Sequence, residues 1–266
     1  MTAVSGLRSG LRSVLRSGLN PSDSSVLAGV TLDASGRYRP SSSAEWATVL
    51  AAAGIASGGP SALYLCQDAS GNLADAVGTF PLTASGTGTT YMQPVSGWSA
   101  KAVAMTSGST GLFQSTDAGL PDIATTSMLM LAYAQPTTTA STRDIMGGGT
   151  AATRILAETT ATSGVPRIMC AGNAAVGAVN TGAATRPWTL QINRTAGSAA
   201  LYTDAERIVP TFGTTAAGKS ISIGNFVAGT ATCLYALIAV FFGAAAELST
   251  AQVRSLHTTL GWTPLF

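Results

Sequence analysis

Residues 213–220 read GTTAAGKS and match G-x-x-x-x-G-K-S, the pattern in which loop N–H groups and a lysine cradle nucleotide phosphates. That chemistry needs a buried strand before the loop and a helix opening at the lysine, whose dipole completes the anion site. The flanking residues point elsewhere. Pro210 stands just ahead of the loop, and ISIGNF follows it, with Ile221 and Ile223 alternating with Ser222 and Gly224. This alternation predicts a strand. A helix cannot open where that strand begins. The stretch is therefore read as a Gly-rich turn, and no nucleotide or other cofactor is expected.

Other chemistry-bearing residues are few. Asp204 and Glu206 lie two apart, so on a strand both carboxylates would share a face, the arrangement that glycoside hydrolysis uses for nucleophile and acid. They sit at a hairpin end without a third carboxylate, and solvated turn charges are the favoured reading. His257 is the single histidine. It falls in a terminal helical segment with no G-x-S-x-G elbow in the chain, so a serine triad is not expected and a surface or capping role is. It also lacks a His or Cys at ligand spacing. Asp68, Asn72 and Asp75 lie within eight residues of one another. Their oxygens would form a weak calcium site, or an Asx-rich turn, and the sequence leaves both open. No catalytic residue, cofactor-binding residue or firm metal ligand is assigned.

The elements that must position such residues are mostly strands. Only 10% of the 266 residues are charged and the net charge is +2. The surface must be built from Ser, Thr, Gly, Ala and Asn, without the broad basic field of a nucleic-acid binder. About ten apolar stretches follow residue 61, parted by Gly, Ser, Thr and Asn clusters: 62–67, 99–105, 127–135, 143–148, 152–159, 165–172, 187–195, 199–204, 220–226 and 233–244. With no helices between them they predict an antiparallel sandwich, because parallel strands need crossover helices. Helices are expected only near residues 42–54, where Ser42 and Glu45 form a capping-box pattern, and near 247–260. Cys66, Cys170 and Cys233 are widely spaced, so no disulfide framework is expected, and Cys66 and Cys233, in apolar strand-like runs, are expected to be buried. The longest apolar run, 14 residues at 233–246, is too short to span a bilayer as a helix.

Residues 1–20 repeat GLRS, GLRS and VLRS, placing Leu7, Leu11 and Leu15 four apart, with Arg8, Arg12 and Arg16 one position later. A helix would carry an apolar stripe beside a basic one. Gly6, Gly10 and Gly18 each cost about 1 kcal/mol relative to alanine there, so the arm is read as ordering on a partner surface. No secretory signal is expected, since no run of 7–15 apolar residues opens the chain. The division expected is a basic-apolar arm and docking helix over 1–60, then one β domain over 61–266.

Four phrases carry a resemblance. ALYLCQDASGNLADAVGTFPLTASG, WTLQINRTAGSAALYTDAERIVP, SISIGN and ALIAVFFGAAAELSTAQVRSLHTTLGW occur in the order seen in laminin-G-like, concanavalin A-like jelly rolls. The resemblance covers roughly 61–266 and implies an all-β, two-sheet antiparallel jelly roll. Ala205 stands where the related pattern has a glycine, so that turn must differ or accept strain. The resemblance also implies sugar stacking on exposed aromatics, for which Trp98 and Trp188 are the candidates by position near loops, a place in the core being the alternative for either. The arm, the helix and the small-residue composition together look similar to phage virion proteins with an exterior lectin-like domain. The function expected is a non-enzymatic virion component (a capsid decoration, spike or tail-fibre protein) assembled in the host cytoplasm, whose partners are other virion proteins and copies of itself, a trimer included. The alternative is a carbohydrate-binding adhesion module.

Overall fold

Two stretches, MLMLAYAQP and CLYALIAVFF, contain almost no polar side chain. A strand reads this way only when both of its faces are buried. The computed structural model describes residues 27–33, 35–78, 80–95, 101–106, 111–136, 143–150, 153–160, 164–180, 184–212, 216–224 and 232–266. In it these stretches are β6 (Met128–Pro136) and β15 (Cys233–Phe242), neighbours at the centre of an eight-stranded sheet.

That sheet runs β13 (Arg207–Ile208), β12 (Ser198–Tyr202), β11 (Arg186–Asn193), β6, β15, β4 (Lys101–Met105) and β3 (Thr89–Pro94), with β1 (Ala62–Tyr64) also paired to β15. The second sheet has seven strands, in the order β10 (Asn173–Val176), β9 (Pro166–Cys170), β8 (Ile155–Thr159), β7 (Arg143–Gly148), β14 (Ile221–Gly224), β5 (Leu112–Ser115) and β2 (Thr83–Ser85). Every pairing between these strands is antiparallel. The protein is thus an all-β sandwich of two antiparallel sheets with two short helices.

The core between the sheets holds Met130, Ala132, Trp188, Leu190 and Ile238 from one sheet and Phe113, Met146, Ile168 and Ile223 from the other. A second core lies on the opposite face of the eight-stranded sheet, where Leu129, Leu131, Tyr133, Leu237 and Phe241 meet two helices. A register shift between Tyr235 and Leu237 on β15 turns Ala236 and Leu237 to that same side, so one strand serves both cores.

Helix α1 (Ser43–Ala52) starts where Ser42 Oγ accepts the Glu45 N–H at 3.3 Å. The Glu45 carboxylate does not return to the Ser42 backbone. It takes Ser41 N–H at 3.0 Å and Thr31 N–H at 3.2 Å, holding the incoming chain against the helix. Helix α2 (Thr250–Thr259) has the reciprocal box, Ser249 with Gln252. The Ser255 hydroxyl bonds Ala53 O at 2.9 Å and joins the two helices. Trp46 meets Phe241 edge-on at 5.7 Å, and Arg39 threads beneath to donate to Leu65 O at 2.9 Å and Ala236 O at 3.1 Å. So α1 docks on the sheet of its own chain. Among the described residues, no helix is long and apolar enough to cross a membrane.

Each of the ten predicted stretches coincides with a strand, with ends that differ by up to three residues. Five short strands, β2, β3, β5, β10 and β13, fall outside those stretches. The three cysteines are buried and free. The Asp204–Glu206 turn avoids strain by a different route from glycine. The Thr203 hydroxyl accepts from Ala205 N–H and Glu206 N–H, both at 3.3 Å, and Ala205 keeps a negative φ.

Trp46 is fully buried between α1 and β15. Trp46→Ala is expected to cost about 3–5 kcal/mol of unfolding free energy. Thr48→Ala, on the exposed side of α1, should stay within about 0.5 kcal/mol. Urea unfolding of both variants measures the difference.

Candidate functional site

The two sheets differ in what covers them. The eight-stranded sheet is packed on both faces. The seven-stranded sheet turns Ala84, Phe113, Ile223, Met146, Ala157 and Ile168, paired rung by rung, into the inter-sheet core. Strand residues alternate faces. The next row along these strands therefore points the other way: Thr83 opposite Gln114, Gln114 opposite Ser222, Ser222 opposite Gly147, and Gly147 opposite Leu156. At Gly147 a side chain would press to 2.6 Å from Ile155 O, so the row needs glycine there.

This outward row is not uniform. Ser222 and Leu156 are buried at its centre, Gln114 is half-buried, and Thr83 is exposed. Glu158, two residues along from Leu156, is buried and ion-paired to Arg167 at 2.6 Å. At the β2/β5 end a groove of about 420 Å³ opens, lined by Pro81, Thr83, Ser85, Gln114, Ser115, Thr116 and Asp117. Its lining is hydroxyl and amide with one carboxylate. Asp117 accepts Gly119 N–H at 2.7 Å through one oxygen. Nearby, Asp122 is held below the usual carboxylate range by the N–H groups of Ala124 and Gly218. Lys219 donates to Ala118 O at 3.2 Å. Such a surface can match sugar hydroxyls by hydrogen bonding and carries no strong field.

The residues singled out from sequence are mostly employed in holding the fold. Asp75 accepts from Leu63 N–H (2.9 Å), Val77 N–H (2.9 Å) and Phe80 N–H (2.8 Å). Asn72 accepts from Ala84 N–H at 3.0 Å, and Asp68 from Ala74 N–H at 3.4 Å. These three satisfy separate backbone groups, and the Asp75–Val77 bond, two residues on, is an Asx turn. Among the described residues, no three His, Cys, Asp or Glu side chains are grouped to hold a metal. Asp204 pairs with Arg186 at 2.6 Å. Glu206 reaches the other sheet's edge and accepts from Ala178 N–H (2.8 Å) and Val179 N–H (3.1 Å). Trp188 is not a surface platform, because its whole side chain lies in the inter-sheet core. His257 is likewise not at the surface. It is fully buried on α2, with Nε2 at 2.8 Å from the Thr189 hydroxyl. Lys219 leads directly into β14 rather than a helix, as the alternation of Ile221 and Ile223 implies. Trp98, the arm residues Leu7, Arg8, Leu11, Arg12, Leu15 and Arg16, and residues 213–215 lie outside the described residues. The groove residues Thr83, Gln114 and Asp117 were not singled out. Their only sequence signal is a polar residue alternating with Phe113 in LFQS.

No protein-family model matches the chain, and no curated protein matches it. Solved structures do. Trypanosoma rangeli sialidase in complex with sialic acid superposes with a TM-score of 0.59 at 10% identity, over 98% of this chain and 40% of that one. The botulinum neurotoxin serotype D/C VPI 5993 binding domain gives 0.53 at 12% identity, over 76% of this chain and 52% of that one. The binding domain of botulinum neurotoxin DC in complex with SialylT gives 0.51 at 14% identity, over 76% and 51%. This chain thus spans about half the length of these structures, or less. At such identities the likeness is one of fold, a β-sandwich that recurs in sialidase and toxin binding-domain structures.

Burial pushes the His257 imidazole down to about 3. An unfolded histidine titrates near 6.5, so between these values the unfolded chain binds the extra proton. The neutral imidazole's contribution is complete above about pH 6.5 and is lost as pH falls towards 3. The expected slope from this group is about 1.4 kcal/mol per pH unit below 6.5. Unfolding free energies measured from pH 7 to pH 4.5 should fall less steeply for His257→Gln than for the parent chain. Parallel curves would show that the imidazole is not buried neutral.

Proposed function

We propose that this protein is a non-enzymatic, lectin-like display component of a particle exterior, a virus particle in the first instance, and that the groove at the β2/β5 end of its seven-stranded sheet recognises carbohydrate. One observation carries the reading. α1, α2 and the chain around Leu27 and Trp262 lie over the eight-stranded sheet, while the seven-stranded sheet, buried on both faces at β8 and β14, opens a polar groove at its β2/β5 end.

The surface supports the reading. Hydroxyls and amides match neutral polyols by hydrogen bonding. The sialic acid and SialylT complexes among the fold neighbours belong to those proteins. For this chain they support carbohydrate as the first ligand class to try. The short basic-apolar arm, Leu7 to Arg16, supports attachment to a larger assembly. Particle partners would be other virion proteins and copies of the chain, assembled in a host cytoplasm, where free thiols are stable.

Deleting residues 2–19 is expected to leave the sandwich folded, with an unchanged circular dichroism spectrum and melting midpoint. The same deletion should abolish incorporation into purified particles, read by immunoblot. Incorporation at parental occupancy would remove the arm from the assembly. A glycan array probed with the full chain tests the second half. Specific binding supports recognition, and silence across the array leaves display alone.

A further inference from the structure

The β2/β5 groove has a definite chemical character. Among the described residues, no hydrogen bond engages the Gln114 amide, the Thr83 hydroxyl or the Thr116 hydroxyl, yet all three line one depression of about 420 Å³. That volume is within the range of roughly 300–1,000 Å³ typical of small-ligand sites. Gln114 and Thr83 face each other across the β2–β5 ladder, so their spacing is fixed by backbone rather than by loop. The free edge of β2 is fixed as well, since its Ala84 N–H is taken by Asn72. An amide offers an acceptor oxygen and two donor hydrogens, and each hydroxyl offers both roles. A vicinal diol presents the complementary set. Pro81 supplies an apolar wall of the kind a sugar's C–H face packs on.

Charge selects within the carbohydrates. Of the seven lining residues, Asp117 alone is acidic, and none is basic. The neighbouring cation, Lys219, is tied to Ala118 O and lies in the field of the ionised Asp122. An anionic sugar would meet a like charge with no paired cation in the lining.

We infer that this groove is a subsite for one neutral, polyhydroxylated sugar unit, held by the Gln114 amide and the Thr83 and Thr116 hydroxyls, and that it discriminates against sialylated and other anionic sugars. The inference rests on the carbohydrate reading of this groove and narrows it to three side chains and a class.

The test uses the full chain on an array of neutral hexose- and N-acetylhexosamine-terminated oligosaccharides beside their sialylated counterparts. Titration calorimetry on the best neutral hit then compares Gln114→Ala, Thr83→Val and the parent. Thr83→Val keeps shape and removes only the hydroxyl, so it serves if Gln114→Ala melts early. Neutral glycans are expected to bind. Affinity should fall at least tenfold in Gln114→Ala and severalfold in Thr83→Val, and Asp117→Lys should let sialylated glycans bind. Neutral binding unchanged in both variants would overturn the groove while leaving carbohydrate recognition standing. Binding confined to sialylated glycans would overturn the class. Silence across the whole array would overturn the subsite together with the carbohydrate reading beneath it.

Discussion

Everything in this molecule hangs on the pairing of β6 with β15 inside a sheet that is buried from both sides. The ladder runs from Cys233 opposite Pro136 to Phe242 opposite Met128, and successive residues feed alternate cores. A strand pair so placed has no face left for polar groups. Two consequences are forced. The outer face of that sheet must be sealed, which requires α1, α2 and the segment around Arg39. The helices in turn cannot stand alone, being about ten residues long and Ala- or Thr-rich. Sheet and helices are each other's condition. The seven-stranded sheet is buried on both faces at its central strands β8 and β14, and the exposed polar residues and the groove occur at its β2/β5 end.

The central strands were legible because two-sided burial leaves an unbroken apolar run that no turn or solvent-facing strand shares. The helices were legible from their caps, Ser42 and Ser249. The shortest strands were not: TAS, NAAV and RI span only two to four residues, too few to show a period of two, and are held by their neighbours' ladders. Two single residues were misplaced although the signal was present. Trp188, Leu190 and Ile192 lie two apart and share a strand face, which puts Trp188 in the core with its companions. His257 follows Val253 by four and Leu256 by one, and lies on the helix face those residues bury. For His257 a polar name outweighed position, and for Trp188 nearness to a loop did. The groove could not be read at all, because Thr83 and Gln114 are 31 residues apart and meet only through a strand pairing.

The scarcity of charge has a structural explanation. Many acidic side chains are acceptors for stranded backbone N–H groups: Asp33 for Ser35 and Arg37, Asp75 for three donors, Glu206 for two across the sheet edges, and Asp122 for Ala124 and Gly218. Gly177 carries no side chain because the Glu206 carboxylate occupies that space. A sandwich with many loops leaves many such donors, and a short carboxylate satisfies two or three at once. Carboxylates so engaged are poorly free to act on a substrate, which is why spacing alone overstated them.

A neutral, hydroxyl-rich face also sets how strongly such a protein can bind. Each hydrogen bond that replaces one to water contributes only about 0.5–1.5 kcal/mol net, and no aromatic ring lines the groove to add stacking. One groove would therefore hold a sugar loosely. Repetition compensates, since linked copies meeting a glycan-coated surface gain about 10²–10⁴ in avidity without any new contact, provided their spacing allows simultaneous engagement. Weak single sites favour a protein present in many copies on one scaffold. On this reading the particle and the sugar are one explanation, because the low charge that makes the face a poor solitary binder also lets copies sit side by side without repulsion.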